Sequence, residues 1–159
     1  MFLQNKGPEF AEQTKTRPKI EAMADKYEFS CKSAKEALLG FLAWLKANKF
    51  TYGWASSNAW KIAYKSKRIG TIRFHGGNLY LDPFMAENNP AYVNYLMCEK
   101  LAAIIEANIH YCVACCTSCA MSRNLTIEKK YENICCVRFT NPGPAEIECM
   151  NKLMEWYKK

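Results

Sequence analysis

A chain of 159 residues, half of them hydrophobic and 23% charged, is long enough to bury one sizeable core and too apolar to stay disordered over most of its length. No run approaches the roughly 18 apolar residues of a membrane span. The first 30 residues, interrupted by Lys6, Glu9, Glu12, Lys15, Arg17 and Lys19, lack a signal-peptide core, so the expectation is a soluble cytoplasmic protein without a membrane partner. The net charge of +7 falls wholly in residues 31–84, where nine Lys and Arg face only Glu36 and Asp82. A field of one sign on one segment suits an anionic ligand or nucleic acid, although a solvated face carries the same signature.

Residues 1–30 mix scattered charge with Pro8 and Pro18 and sustain no period, which reads as a loosely attached arm with a short helix near Ile20 to Lys26. The remainder, 31–159, reads as one α+β domain. Ser33 and Glu36 have the spacing of a capping box, and Ala34, Leu38, Phe41, Leu42 and Leu45 then fall on one face of a helix running to Asn48. From Trp60 the period becomes two, as a strand with one wet face requires. A turn at Ser66-Lys67-Arg68, a strand from Ile69 to Phe74, a glycine turn at Gly76-Gly77 and a strand from Asn78 to Asp82 complete an antiparallel meander, with Thr51 to Asn58 as a candidate edge strand. Asn89-Pro90 predicts the entry of a long helix whose buried stripe is Val93, Leu96, Met97, Leu101, Ile104 and Ile105. Beyond a cysteine-rich loop come a strand from Ile134 to Thr140 and a final helix opened by Pro144 and buried through Ile147, Met150, Leu153 and Met154.

Six of the nine cysteines lie between residues 112 and 136, and crowding of this kind in a reducing compartment points to metal or thiol chemistry rather than a disulfide framework. Cys112-x2-Cys115 and Cys116-x2-Cys119 are two C-x2-C knuckles, whose short turns aim both thiolates at one point about 2.3 Å from a zinc ion. The expected ligand set is Cys112, Cys115, Cys119 and Cys135. Cys135 is preferred over Cys136 because on a regular strand it shares a face with Val137 and Phe139. Cys116, Cys136 and His110 are alternative ligands. Zinc is the expected metal, and an iron–sulfur cluster, a site for a thiophilic ion and a redox dithiol are the rival uses of the same thiols. Cys31, Cys98 and Cys149 are expected to be small buried hydrophobes. No nucleophile, base and oxyanion donor occur in a recognisable arrangement, so no catalytic residue is nominated.

In the basic segment, Trp54, Trp60, Lys67, Arg68 and Arg73 are the candidates for a small anionic or aromatic ligand, with Trp54, Trp60 and Arg73 framing a pocket. A nucleic-acid partner is less favoured, because alternation puts Trp60, Ile62 and Tyr64 on one strand face and the lysines on the other. From Trp54 to Ile69 the pattern W-x5-W-x-I-x-Y-K-x-K-R-I resembles small uncharacterised bacterial proteins that join such a hairpin to a cysteine-rich C-terminal half, a likeness covering most of residues 33–157. A helix followed by a meander that ends in Leu79-Tyr80-Leu81 is similar in topology to YjbR-like and TfoX N-terminal-like domains. These resemblances imply a fold and carry no activity with them.

Overall fold

The computed structural model describes residues 8–111 and 123–159. In chain order the elements are α1 (Pro8–Thr16), α2 (Ile20–Lys26), α3 (Lys32–Ala47), β1 (Thr51–Ser56), β2 (Ala59–Tyr64), β3 (Lys67–His75), β4 (Asn78–Pro83), α4 (Pro90–Cys98), α5 (Ala102–Ala107), β5 (Ile109–Tyr111), β6 (Arg123–Thr126), β7 (Lys130–Val137), β8 (Phe139–Thr140) and α6 (Pro144–Trp156). The α+β reading holds. Strands β1-β2-β3-β4-β8 form one antiparallel sheet, and β5-β7-β6 form a second, smaller one.

Tight turns set the meander. The β2–β3 turn is Lys65-Ser66, both with positive φ, so Tyr64 pairs with Lys67 and the expected turn residues Lys67 and Arg68 belong to β3 instead. Gly76 and Gly77, at φ +56° and +79°, close β3 onto β4 in the left-handed conformations that a two-residue hairpin loop needs. The inner sheet face carries Trp60, Ile62, Ile72, Phe74, Leu79 and Leu81, each almost fully buried. Against it pack the predicted stripe of α3 and the buried residues of α6, Cys149, Met150, Leu153 and Met154. A Cβ on Gly70 would stand 3.2 Å from the Asp82 backbone carbonyl, a tight approach, so this glycine eases the close packing of β3 beside β4.

Three expectations are corrected. The segment before residue 30 is no loose arm: Ile20 and Ala24 belong to the core, the Trp60 indole N–H donates to the Pro18 carbonyl, and the Gln13 amide exchanges two hydrogen bonds of 2.8 Å with Asn58 in the β1–β2 turn. Its contacts are made with distant residues, which local periodicity does not register. The Ser33–Glu36 capping box does not form, because α3 starts earlier, with Cys31 at the N-cap and its sulfur 2.8 Å from the Ser33 hydroxyl. The long helix is two helices. Asn89 caps α4 as expected, accepting from the Ala91 N–H at 3.0 Å, but the chain leaves the helix at Lys100, whose φ is +57°.

That break is a Schellman motif. The Lys100 N–H donates to Met97 O and the Leu101 N–H to Leu96 O, with both leucines buried across the turn. The end of α3 repeats it with Lys49 at φ +63°, bonded to Lys46 O, and Phe50 bonded to Leu45 O. An apolar residue following the turn holds a lysine in the conformation that glycine prefers, and this is why no glycine marks either end. Lys100→Gly is therefore expected to raise stability by about 0.5–1 kcal/mol, by removing the left-handed penalty. Urea unfolding checks the sign, since a helix continuous through Lys100 would instead lose about 1 kcal/mol to a mid-helix glycine.

Candidate metal centre

The second sheet brings the described members of the cysteine cluster together. His110 on β5 pairs across from Cys136 on β7, and Tyr111 pairs with Ile134, so one residue of β7, Cys135, is left without a partner on β5. This is a β-bulge. It keeps Ile134 and Val137 both buried while Cys135 and Cys136 are both half-buried between them. The alternation that favoured Cys135 over Cys136 assumed a regular strand and does not apply here. Burial pushes the Cys136 thiol up to about 11, against the opposing field of Arg138.

On the other edge of β7, Arg123 of β6 also pairs with Ile134. The chain therefore leaves β5 at Tyr111 and returns on β6 at Arg123 opposite a single β7 residue adjoining the two cysteines. Cys112, Cys115, Cys116 and Cys119 lie outside the described residues. Among the described residues no group of three or more His, Cys, Asp or Glu side chains is placed to hold a metal. Cys135, Cys136 and His110 would thus need partners from residues 112–122 to complete such a site. The soft thiol donors fit zinc, and the short β5 strand that carries His110 was not foreseen from the sequence.

The remaining cysteines differ from expectation in two of three cases. Cys149 is buried, but Cys98 is exposed and Cys31 half-buried. The Ser33 hydroxyl and then the Ser33 and Ala34 amides lower the Cys31 thiol below its ordinary value.

One residue past Val137, the chain crosses from the small sheet to the large one, where Phe139 and Thr140 pair with Leu81 and Tyr80. Arg138 occupies the crossing. Its Nε and Nη2 donate to Asp82 Oδ1 and Oδ2, both at 2.8 Å, its backbone N–H donates to Asn108 O, and its guanidinium lies 5.1 Å from the Tyr80 ring centroid. The hydrogen bonds to Asp82 hold Arg138 well above the usual arginine range, overcoming burial. Arg73 reaches the same carboxylate only at 4.0 Å.

The ligand candidates of the basic segment are divided by the sheet. Trp54 and Trp60 line a cavity of about 410 Å³ on the side of α2 and α3, together with Tyr52, Glu21 and Lys46. There the Tyr52 hydroxyl and Lys46 ammonium both bond Glu21 Oε1, at 2.6 and 3.0 Å, and outweigh burial to hold that carboxyl below its ordinary value. The Trp54 indole N–H is buried and finds no acceptor among the described residues. Arg73 points from β3 to the opposite face, so the expected pocket framed by Trp54, Trp60 and Arg73 does not exist. Lys67 and Arg68 are exposed at a third place, where they lie over the Tyr157 and Phe84 rings, and Arg68 bonds the Thr71 hydroxyl.

Among protein families, curated proteins and solved structures, none matches this chain. Function is therefore argued from its own residues. Among the described residues no helix is long and apolar enough to cross a membrane.

Asp82→Asn leaves Arg138 without its counter-charge in a part-buried setting and is expected to cost about 2 kcal/mol or more. Lys61→Gln on the same sheet face is expected to stay within about 0.5 kcal/mol. Chemical denaturation of both checks the contrast. A separate expectation concerns alkali. Burial pushes the Cys149 thiol from an ordinary 9.0 up to about 12, so the unfolded chain releases this proton first. Its contribution is intact below pH 9 and is lost as pH rises toward 12, at up to about 1.4 kcal/mol per pH unit. Unfolding free energies measured across that window should fall less steeply for Cys149→Ala, with half-buried Tyr157, also raised to about 12, supplying part of the remaining slope.

Proposed function

We propose that the chain is a small binding module whose C-terminal half is cross-linked by a thiolate-bound metal, with zinc as the ion and Cys112, Cys115, Cys119 and Cys135 as its ligands. The observation carrying this reading is the shared register at Ile134. Tyr111 and Arg123, which flank the knuckle segment, both pair with that residue, beside Cys135. The eleven residues 112–122 therefore leave and rejoin the sheet opposite one residue beside Cys135. Two C-x2-C turns in such a loop, closed by a thiol from an ordered strand, supply the tetrahedral sulfur set that zinc takes in structural sites. Zinc has no redox chemistry of its own, so its contribution would be a cross-link between the exit of β5 and the bulge of β7. Cys136 and His110, opposite each other in the ladder, are the nearest substitute donors.

A second reading follows from the adjacency of Cys135 and Cys136 at the bulge, both half-buried and free. Adjacent thiols suit a sensor or enzyme for thiophilic metals, an iron–sulfur cluster or dithiol redox chemistry.

Elemental analysis of protein purified without chelator is expected to give about one zinc per chain. Cys112→Ser and Cys135→Ser should lose most of that metal and much of the hydrogen-exchange protection across residues 105–157. Cys98→Ser and Cys116→Ser should keep both, and the hairpins from Trp60 to Asp82 should change little because their contacts are local. Freshly reduced protein without metal would remove the zinc reading. Iron with acid-labile sulfide, or full protection in all four variants with one of them abolishing a thiol reaction, would establish the second reading instead.

A further inference from the structure

On the outer face of the large sheet, Ser56, Ser57, Arg73, His75, Tyr80 and Arg138 surround a cleft of about 390 Å³, a volume suited to a small molecule. We propose that this cleft binds the phosphate group of a small phosphorylated molecule.

The argument starts from its donors. Arg138 is fixed by its two bonds to Asp82 and by the Tyr80 ring beneath it, and it commits Nε and Nη2 to the carboxylate, which leaves Nη1 uncommitted. Asp82, only 12% exposed through its side chain and bonded through both oxygens to Arg138, reaches Arg73 no closer than 4.0 Å, so one carboxylate is shared by two guanidinium groups and the pair of arginines keeps a net positive charge. Arg73, 45% exposed, has the 4.0 Å approach to Asp82 as its one ionic contact among the described residues. The hydroxyls of Ser56 and Ser57 and the imidazole of His75 make no hydrogen bond among the described residues, although they sit on two adjacent hairpin ends brought together by the Ala59–Arg73 and His75–Asn78 pairings. Two guanidinium groups, two hydroxyls and an imidazole thus converge with no free carboxylate among them.

Such a set selects an oxyanion, because guanidinium N–H groups pair with oxygens in a fork and a cation would meet two like charges. Tetrahedral phosphate, with three peripheral oxygens, can take donors arriving from three directions at once, whereas a planar carboxylate offers two. Ser56, Arg73 and His75 project from paired strands, Ser57 from the turn that joins β1 to β2, and Arg138, held by Asp82, needs no rearrangement, so little ordering free energy opposes binding. This inference is independent of the metal reading, since none of the six residues is a proposed ligand.

Isothermal titration of the full chain at fixed ionic strength, with inorganic phosphate, glucose 6-phosphate and acetate as titrants, tests it. The expected result is saturable one-to-one binding of both phosphates, at least ten times tighter than acetate. Arg73→Gln should weaken binding tenfold or more, and Ser56→Asp, which sets a carboxylate among the donors at an exposed position, should abolish it. Lys61→Gln, on the same face but outside the cleft, should leave it unchanged. Thermal unfolding of each variant confirms folding, and Ser56→Asp carries the test if Arg73→Gln proves unstable. The proposal is overturned by acetate binding as tightly as phosphate, by equal losses in Lys61→Gln and Arg73→Gln, which mark a diffuse field, or by no saturable binding at millimolar phosphate. An oligonucleotide that binds while free phosphates do not compete would also overturn it.

Discussion

The Asp82–Arg138 pair sits where the backbone changes sheets. Val137 ends the strand shared with β5 and β6, Phe139 begins the one added to β4, and the side chain between them is bonded at 2.8 Å to both carboxylate oxygens of Asp82, near the end of the meander's last strand. Two-point contact between planar groups fixes direction as well as distance. With side-chain exposures of 25% and 12%, the pair is sheltered enough that neither charge is fully recovered by water if the other is lost. The Arg138 N–H to Asn108 O bond ties the same residue to the end of α5. Helix, small sheet and large sheet therefore meet at one residue, and the course of the C-terminal third follows from where that residue is held.

This junction explains how a continuous core spans two sheets of unequal size. Leu125, Ile127, Ile134 and Val137 of the small-sheet region belong to the same buried cluster as Phe74, Leu79 and Phe139. A strand cannot serve both sheets without a change of direction, and the bulge at Cys135 followed by the crossing at Arg138 supplies it. A bulge also turns neighbouring side chains toward a common side, and here it leaves Cys135 and Cys136 both half-buried between buried Ile134 and Val137 where a regular strand would point them apart.

Much of this fold was legible in the order of the residues. The α3 stripe, the meander, the Asn89 cap and the Pro144 helix all rest on short-range regularities: a period of 3.6 or 2, a polar cap, a proline at a first turn. What was not legible depends on contacts made across the chain. Lys49 and Lys100 end helices without glycine because Phe50 and Leu101 are anchored in the core, which is a tertiary cause for a local conformation. The N-terminal helices are held by single reaching contacts, such as Trp60 to Pro18 and Gln13 to Asn58, that leave no periodic trace. The candidate sites divide the same way. C-x2-C spacing can be read directly, but the opposition of His110 and Cys136 depends on strand register. Arg73 could be marked as basic, yet its partnership with Arg138, sixty-five positions later, appears only once β8 is laid against β4.

Positions 134–138 consequently carry three constraints at once. Ile134 and Val137 must be apolar to fill the core, Cys135 and Cys136 stand beside the knuckle segment, and Arg138 lines the cleft while clamping the sheets. Shared backbone does not by itself make the cleft and the proposed metal site interdependent, because a ligand shifts only an equilibrium between states that it binds differently. Arg138 is already held in its working geometry by Asp82, Tyr80 and Asn108, none of which belongs to the thiolate set. For metal at Cys135 to alter the cleft, it would have to displace a side chain held by Asp82 and Tyr80 on a backbone bonded to Asn108. The ion pair therefore separates the two mechanically, so that the proposed cross-link and the proposed phosphate cleft can share one short stretch of chain without depending on each other.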